Sequence, residues 1–552
     1  MIISCGTFYL DLIGTIYFDT FTRSKIDAIW QGMWNNGMAD PKTNITQITY
    51  LLFIKMLDDN QIKKEKNANA FHTKVNNPTF KEGIYKVAKD EDGNEIMKVS
   101  YDDLRWHNFV HFDTNKMFII VRDYVFRFIR EMNDGENNAF SRFMKDAKLD
   151  IPSAKILEKV VRGLDDKELN LDNKEIMGDV YEYLLAELSI NGDNGQFRTP
   201  RHIIRMMVEL IKPQLGEVIC DPAMGSAGFL MESAKYISDK QKSELNNKEN
   251  RAKFNSQMFF GNETDPDMLR IGTMNMTLHD VSDPQIFYKN SLTDDNKDIN
   301  KYDVILANPP FNGSLDANDI SKSLTDIATT KSTELLFMAL FLRSLKTGGR
   351  CASIVPVGVV NNTNEKAYTT IRKNLVENQR LKAVIYMPGG IFKPYSGVQT
   401  AILVFDKLDK KDGGGTDKVW LYNMEADGYS LDDKRNEVKD NDIPDIITRY
   451  NNLEAENDRT PYDKSFFVTI DDIRKNDYVL SLNKYQKKHI VKKEYRPTSV
   501  IMNSLVDSEI EYINLLKETS KESYDALIRK VLDTLSIEEL EKIVEEKKNN
   551  KN

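Results

Sequence analysis

Only three cysteines, Cys5, Cys220 and Cys351, occur in 552 residues, and no CxxC pair is among them. That excludes a disulfide scaffold and a thiolate zinc site, and it points to a reducing, cytoplasmic compartment. The six histidines show no ligand cluster along the sequence, so no metal site is expected. Glycine (27) and proline (16) are too sparse for a collagen-like or Pro/Gly-rich disordered chain. No apolar run reaches the roughly 20 residues of a membrane-spanning helix. The most apolar stretch, 1–18, is interrupted by Asp11 and two glycines. It also lacks a positive n-region, the first basic residue being Arg23, and a small-residue cleavage site, so it does not read as a secretory signal. Positive charge is not in excess either. With 76 Lys and Arg against 85 Asp and Glu, the net charge is −9, so any contact with DNA is expected through a local basic face or with a partner's help.

What is present is a long chain of ordinary composition, 40% hydrophobic and 29% charged. Single cores stop growing at roughly 250–300 residues, so several domains are expected. Residues 1–28 are an N-terminal extension to which no role is assigned. Residues 29–165 read as a helical domain. An apolar run, 48–57, closes on Asp58, Asp59 and Asn60, and 117–132 has apolar positions at helical spacing, with no alternating strand pattern nearby. A packing domain is the simpler reading, and direct DNA contact by some of its basic residues is the alternative. From about Lys174 to 486, β-rich runs at 217–220, 257–260, 303–307, 350–355, 381–387 and 399–405 alternate with helical stretches at 226–238, 267–279, 334–345 and 365–378. This alternation argues an α/β domain with a mainly parallel sheet and helices on both faces. The runs 399–405 and 418–422 flank Gly413, Gly414 and Gly415 and read as a hairpin, so the sheet is expected to end in antiparallel strands. Residues 487–552 form a helical tail. Tyr524, Leu527, Ile528, Val531 and Leu535 make one apolar stripe. Ser536 and Glu539 fit a capping box that opens a helix with Leu540, Ile543 and Val544 on one side. A basic cluster of Lys484, Lys487, Lys488, His489, Lys492 and Lys493 is either a solvated face or a contact with nucleic acid or a partner.

Three motifs carry chemistry. Asn308, Pro309, Pro310 and Phe311 directly follow the buried-looking strand residues Val304 to Ala307. Two prolines stiffen the chain and supply no N–H, so the Asn side chain and backbone carbonyls are offered at the strand's C-terminal edge, where open α/β sheets bind ligands. An exocyclic amine has two N–H donors, and the Asn308 side-chain oxygen and the Pro309 carbonyl can accept both. This draws the nitrogen lone pair out of conjugation and makes it a nucleophile, while Phe311 offers a flat face for a base. Second, Asp221 leads a turn with Gly225, Ser226, Ala227 and Gly228 that joins a strand to a helix. The glycines allow a tight turn close to a ligand, Asp221 can accept from an ammonium, and the absent Lys-Ser/Thr ending counts against a triphosphate loop. Third, Glu263 at the end of the next strand can accept from two ribose hydroxyls or cap a helix, and Asn290 lies at the same edge, where it can read an adenine. Upstream, Gln196, Phe197, Arg198, Thr199, Pro200 and Arg201 precede a helix at 202–211, with Thr199 as N-cap and Pro200 at the first helical position. That helix N-terminus suits a ligand carboxylate.

Together and in this order, these motifs resemble the N6-adenine DNA methyltransferases that use S-adenosylmethionine. With Trp34, Asn35, Asn36 and Gly37, the run 48–58, residues 274–279 and residues 480–485, the chain resembles the methylation (M) subunit of type I restriction-modification systems from about Ile29 to Tyr485. Two departures are mild: Ser226-Ala227 stands where a Thr/Ser-Gly pair is frequent, and Asn290 where Asp is common. The resemblance implies a Rossmann-like S-adenosylmethionine-dependent methyltransferase sheet over 166–486, with a helical N-terminal domain and a C-terminal helical tail. It implies that Thr199 and Asp221 hold the methionine part of the cofactor, that Gly225 to Gly228 pack against it, that Glu263 binds the ribose, and that a flipped adenine of double-stranded DNA meets Asn308 and Phe311. The stretch after the last strand is largely polar and helical, with little to read base edges. This agrees with an arrangement in which a specificity subunit reads DNA, two M subunits clamp it, and a restriction subunit is a further partner. The loop 312–330 is polar with few anchors and is expected to be mobile until DNA arrives. The competing readings are a methyltransferase acting on cytosine N4 or protein glutamine, and a non-catalytic scaffold subunit. Phe311 in place of Tyr and the helical N-terminal domain count against the glutamine enzymes, and Asn308 in place of Ser against the cytosine enzymes.

Overall fold

The computed structural model describes residues 20–75, 78–89, 94–132, 144–169, 199–311, 313–393, 396–409, 415–487 and 498–519. It also describes 171, 176–178, 180, 181, 183–185, 525, 526, 529, 530 and 542. The chain divides into two compact units, residues 1–487 and 488–552.

The first unit begins with helices α1 (Thr20–Trp34) and α2 (Pro41–Ala70). Asp40 caps α2, accepting from the amides of Lys42 and Thr43, and Pro41 takes the first position, where a missing N–H costs nothing. Residues such as Ile45, Leu51, Leu52 and Ile54 are buried with Val121, Phe126 and, from α3 (Ala154–Leu164), Leu157 and Val161. The expectation that this segment lacks strands needs correction. An antiparallel hairpin, β1 (Ile84–Lys89) and β2 (Glu95–Ser100), sits in it. Register shifts at both ends of the pairing disturb the two-residue alternation, and Ile84, Val87 and Ile96 stay exposed, so no clean strand pattern is visible in the sequence.

The α/β part is a nine-stranded sheet in the order β13-β10-β8-β9-β7-β6-β3-β4-β5. The strands are β3 (Ile219–Asp221), β4 (Phe259–Glu263), β5 (Gln285–Tyr288), β6 (Tyr302–Ala307), β7 (Leu345–Pro356), β8 (Arg380–Met387), β9 (Thr400–Asp406), β10 (Lys418–Asn423) and β13 (Ser465–Thr469). A separate small hairpin pairs β11 (Asp427–Tyr429) with β12 (Glu437–Asn441). In the sheet, β9 runs antiparallel to β7 and β8, β13 runs antiparallel to β10, and the other pairings are parallel. Along β6 the side chains alternate between two cores: Val304 and Leu306 enter one, Ile305 and Ala307 the other. Helices α4 (Arg201–Ile211) and α5 (Gly228–Lys240) cover the first face, and α7 (Thr333–Ser344) and α8 (Lys366–Glu377) the second, while α6 (Pro266–Leu278) adds Leu269 and Met276 to the first.

The expected hairpin between 399–405 and 418–422 does not form. β9 lies between β7 and β8, and β10 crosses over to pair with the far side of β8. Burial along β9 explains this: Thr400 to Phe405 are all buried, which requires a neighbour on each edge and cover on each face. An edge hairpin cannot supply that. The antiparallel expectation holds at the sheet's end, where β13 pairs with β10.

In the second unit, α9 (Thr498–Thr519) exposes Val500, Met502, Leu505, Ile510, Tyr512 and Leu515. Of the expected helix over 524–535 only residues 525, 526, 529 and 530 are described, and they are helical, while the capping box at Ser536, the extension at 1–19 and most of the basic cluster after Lys487 lie outside the described residues. No described helix is long and apolar enough to cross a membrane.

Candidate active site

The C-terminal ends of β3, β4, β5 and β6 open into one cavity of about 1040 Å³. Its lining includes Thr199, Pro200, Arg201, Asp221, Gly225, Ser226, Gly228, Glu263, Asn290, Asn308, Pro309, Pro310 and Phe311. Thirteen of the seventeen residues singled out in the sequence therefore converge here. Ala227 stands behind the turn, fully buried, and Gln196, Phe197 and Arg198 lie outside the described residues.

The glycine turn is fixed from beneath. Gly225 adopts φ +53 and Ala227 φ 62, so the turn runs through the left-handed region at two positions. Ala227 thus occupies a backbone region that favours glycine, which gives physical meaning to the departure noted in the sequence. Asn262 donates to Ser291 Oγ (2.9 Å), and Ser291 donates to the Pro222 carbonyl (2.6 Å), which ties the end of β4 to the loops after β3 and β5. Glu263 spans the same gap: Oε2 accepts from the Gly225 amide (3.0 Å), and Oε1 from the amides of Thr264 (2.7 Å) and Asp265 (2.9 Å). The cap of α6 is Asp265 rather than Glu263. Asn290 accepts from the Leu292 amide through Oδ1 (3.0 Å), which turns its own loop.

Asp221 ends β3 with 1% exposure. Burial pushes its carboxyl up to about 8, the charge of Glu263 adds to the effect, and the Ala223 amide, donating over 3.1 Å, opposes it. A carboxyl held in this state is poised for a cationic group that would restore its charge.

Asn308 follows β6. Its Nδ2 donates to Thr199 Oγ1 (3.0 Å). Its Oδ1 is buried and has no hydrogen-bond partner among the described residues. The reading of Thr199 as a helix cap is corrected here: Pro200 takes the cap position of α4 without a side-chain bond, and the Thr199 hydroxyl serves Asn308 instead. Two consecutive prolines leave Asn308 no following backbone amide to turn back on, so its amide reaches another loop. Phe311 meets Phe392 edge-on, with centroids 6.2 Å apart at 85°.

The cavity also has walls that the sequence reading did not include. Phe392 comes from the loop after β8, where Gly389 approaches the Gly397 carbonyl so closely that a Cβ would sit 2.9 Å away. His202, Tyr429 and Arg435 come from α4 and the β11–β12 hairpin. Asp427 is buried beneath them; it accepts from His202 Nε2 (2.8 Å) and is paired with Arg435, and His202 stacks on Tyr429 at 4.7 Å. Burial works against ionisation of Asp427, yet the bonds from His202 and Arg435 hold its carboxyl below the usual range. The segment 313–330 also departs from expectation. Ile320, Leu324 and Ala328 are buried, and the Ser321 amide bonds the Leu292 carbonyl (2.9 Å), so the segment has anchors at helical spacing that its polar composition concealed.

Comparison with known proteins gives the family of the chain. The family model described as N-6 DNA Methylase matches residues 172–494, and that of the HsdM N-terminal domain matches 22–164. Over 460 residues the chain is 28% identical to the methylase subunit of the type I restriction enzyme EcoEI from Escherichia coli, covering 82% of this chain and 87% of that one. Over 265 residues it is 32% identical to the EcoKI methylase subunit of Escherichia coli strain K12, covering 46% of this chain and 49% of that one. A solved methyltransferase subunit of a type I restriction-modification system from Streptococcus thermophilus shares the fold, with a TM-score of 0.64 at 19% identity over 85% of this chain and 100% of that one. The architecture is an α/β fold built on a nine-stranded, mainly parallel sheet preceded by a helical domain, and it is shared with that type I methyltransferase subunit. The chain belongs to the N-6 DNA methylase family and, with the HsdM N-terminal domain ahead of the methylase domain, to the methylase subunits of type I restriction-modification systems.

Proposed function

We propose that this site transfers a methyl group from S-adenosylmethionine to N6 of an adenine in double-stranded DNA. The observation that supports it most is the Asn308 side chain. Its NH₂ is committed to Thr199 and its buried oxygen has no partner among the described residues, so an acceptor stands ready beside Phe311. A buried acceptor without a bond costs roughly 1–3 kcal/mol, which an incoming amine N–H removes. Asn308 Oδ1 and the Pro309 carbonyl accept the two N6 hydrogens, and Phe311 and Phe392 give the base apolar faces. The base must leave the duplex to arrive there, because its N6 is paired and stacked.

The residues fit the cofactor. Asp221 takes the ammonium, Glu263 the ribose hydroxyls, Gly225 to Gly228 allow close approach, and the N-terminus of α4 receives the carboxylate. When bound, the cofactor supplies an activated methyl group with its leaving group built in. What this chain supplies is orientation and charge complementarity at the amine. Glu263→Ala is expected to weaken S-adenosylmethionine binding by roughly 1–3 kcal/mol, since both the ribose acceptor and the brace on the Gly225 amide are lost. Calorimetry checks this, and an unchanged dissociation constant would leave Glu263 as a brace alone.

As a type I methylase subunit, the chain is read as working in the cytoplasm with a specificity subunit, a second copy of itself and a restriction subunit. The net charge of −9 and the exposed apolar residues of α9 suit a chain that meets DNA through a partner. The test is methyl transfer to a mapped target by the purified chain with and without its specificity subunit. Sequence-specific methylation is expected only with the subunit, and strong specific transfer by the isolated chain would overturn the assignment of recognition to a partner.

A further inference from the structure

Helix α6 joins two parts of the first unit. One face enters the core of the helical segment through Met268, Ile271, Met274 and Leu278. The Ile271 carbonyl accepts from Tyr181 Oη (3.2 Å), and the same hydroxyl lies 3.3 Å from Thr49 Oγ1 on α2. At the helix start, the capping Asp265 pairs with Lys42 Nζ in the first turn of α2 (2.5 Å).

The other face lies under the glycine turn. Asn275 is fully buried and donates from Nδ2 to the Ser226 carbonyl (2.9 Å). Gly272 allows the contact to be close: a Cβ there would come within 3.0 Å of the Gly225 carbonyl oxygen and of Met224 Cε. The Ser226 carbonyl and the Ala227 N–H belong to one planar peptide unit. Holding the first fixes the second, which donates to the Met224 carbonyl (2.8 Å) and closes the turn.

We infer that Asn275 is a positioning residue for the cofactor turn, and that α6 couples the packing of the helical segment to the affinity of that turn for S-adenosylmethionine. The inference rests on the reading that the turn receives this cofactor. A rigid helix with one face in each core cannot shift on one side alone. Coupling between sites is reciprocal: whatever the helical segment does to cofactor affinity, the cofactor does to the stability of the helical segment.

The test uses the full chain. Asn275→Asp keeps the volume and replaces the donor by an acceptor facing a carbonyl. It is expected to weaken S-adenosylmethionine binding about tenfold, within the usual range of coupling between sites. Tyr181→Phe, which removes only a hydroxyl on the far face of α6, is expected to weaken binding less but in the same direction. Hydrogen exchange supplies a readout that a merely structural role would not move. In the wild-type chain, S-adenosylmethionine is expected to slow exchange over 266–278 and over the α2 stretch 45–56. In Asn275→Asp at saturating cofactor, slowing is expected to persist at 221–228 and to be lost in α2. Unchanged affinity in both variants, or slowing confined to the turn in the wild type, would overturn the coupling. Absence of S-adenosylmethionine binding to the wild type by calorimetry would overturn the cofactor reading and this inference with it.

Discussion

Asn308→Ala is expected to lower methyl transfer at least about 100-fold, the scale on which removal of one preorganised polar group at a reacting centre acts. Affinity for S-adenosylmethionine should change little, because the groups assigned to the cofactor come from other loops. The structure refines this expectation. Asn308 also occupies the Thr199 hydroxyl, which lines the same cavity, so the substitution frees one group near the cofactor as it deletes another near the base. Asn308→Asp separates the two effects. The carboxylate keeps an acceptor for the amine, and the Thr199 hydroxyl can turn to donate to it, so part of the activity should remain. Calorimetry with S-adenosylmethionine and tritium transfer to DNA measure both quantities. Undiminished transfer by Asn308→Ala would remove Asn308 from the chemistry.

Asp221→Asn should reduce S-adenosylmethionine affinity roughly 10- to 100-fold, the range of a hydrogen bond to a charged group. It should also abolish a proton that the wild-type chain releases on binding. Asp221 titrates near 8 in the ligand-free chain, against an ordinary 3.8. A folded value raised above the unfolded one means that the folded chain holds the proton more tightly. The stability of the ligand-free chain should therefore fall as pH rises from about 4 to about 8. An ammonium at Asp221 requires the carboxylate, so affinity should rise by up to about tenfold per pH unit over the same window, levelling off where the ligand's own α-amino group loses its charge, near 8. In Asp221→Asn both slopes should flatten. Calorimetry in buffers of different ionisation enthalpy counts the released proton directly. A wild-type chain that releases none would place the ammonium elsewhere.

The parts of this site that were legible in the sequence are those set by local geometry. A strand running into Asn308, two prolines and Phe311 places those groups at a sheet edge whatever the rest of the chain does. Asp221 and the glycines after it mark a strand-to-helix turn for the same reason. What was not legible depends on partners distant in sequence. Thr199 before Pro200 reads as a helix cap, and only the approach of Asn308, 109 positions away, gives its hydroxyl another use. The β11–β12 hairpin carries no mark in the sequence, because the contact that engages its buried Asp427 comes from His202, 225 positions earlier. Phe392 was within reach of the sequence, since Gly389 and Gly390 just before Ile391 announce a tight approach of the backbone. The position of β9 was misjudged because local order favours a hairpin with the next strand, whereas burial of a strand apolar on both faces favours the sheet interior.

The central claim is the identity of the acceptor atom, and it is tested most directly by the modified nucleoside itself. DNA carrying the target is incubated with the chain, its specificity subunit and S-adenosylmethionine, digested to nucleosides and analysed by mass spectrometry, with Asn308→Ala in parallel. N6-methyladenine from the wild type and none from the variant is the expected result. Methyl on cytosine N4, or equal N6-methyladenine from both proteins, would contradict the assignment of Asn308, Pro309, Pro310 and Phe311 as the adenine site.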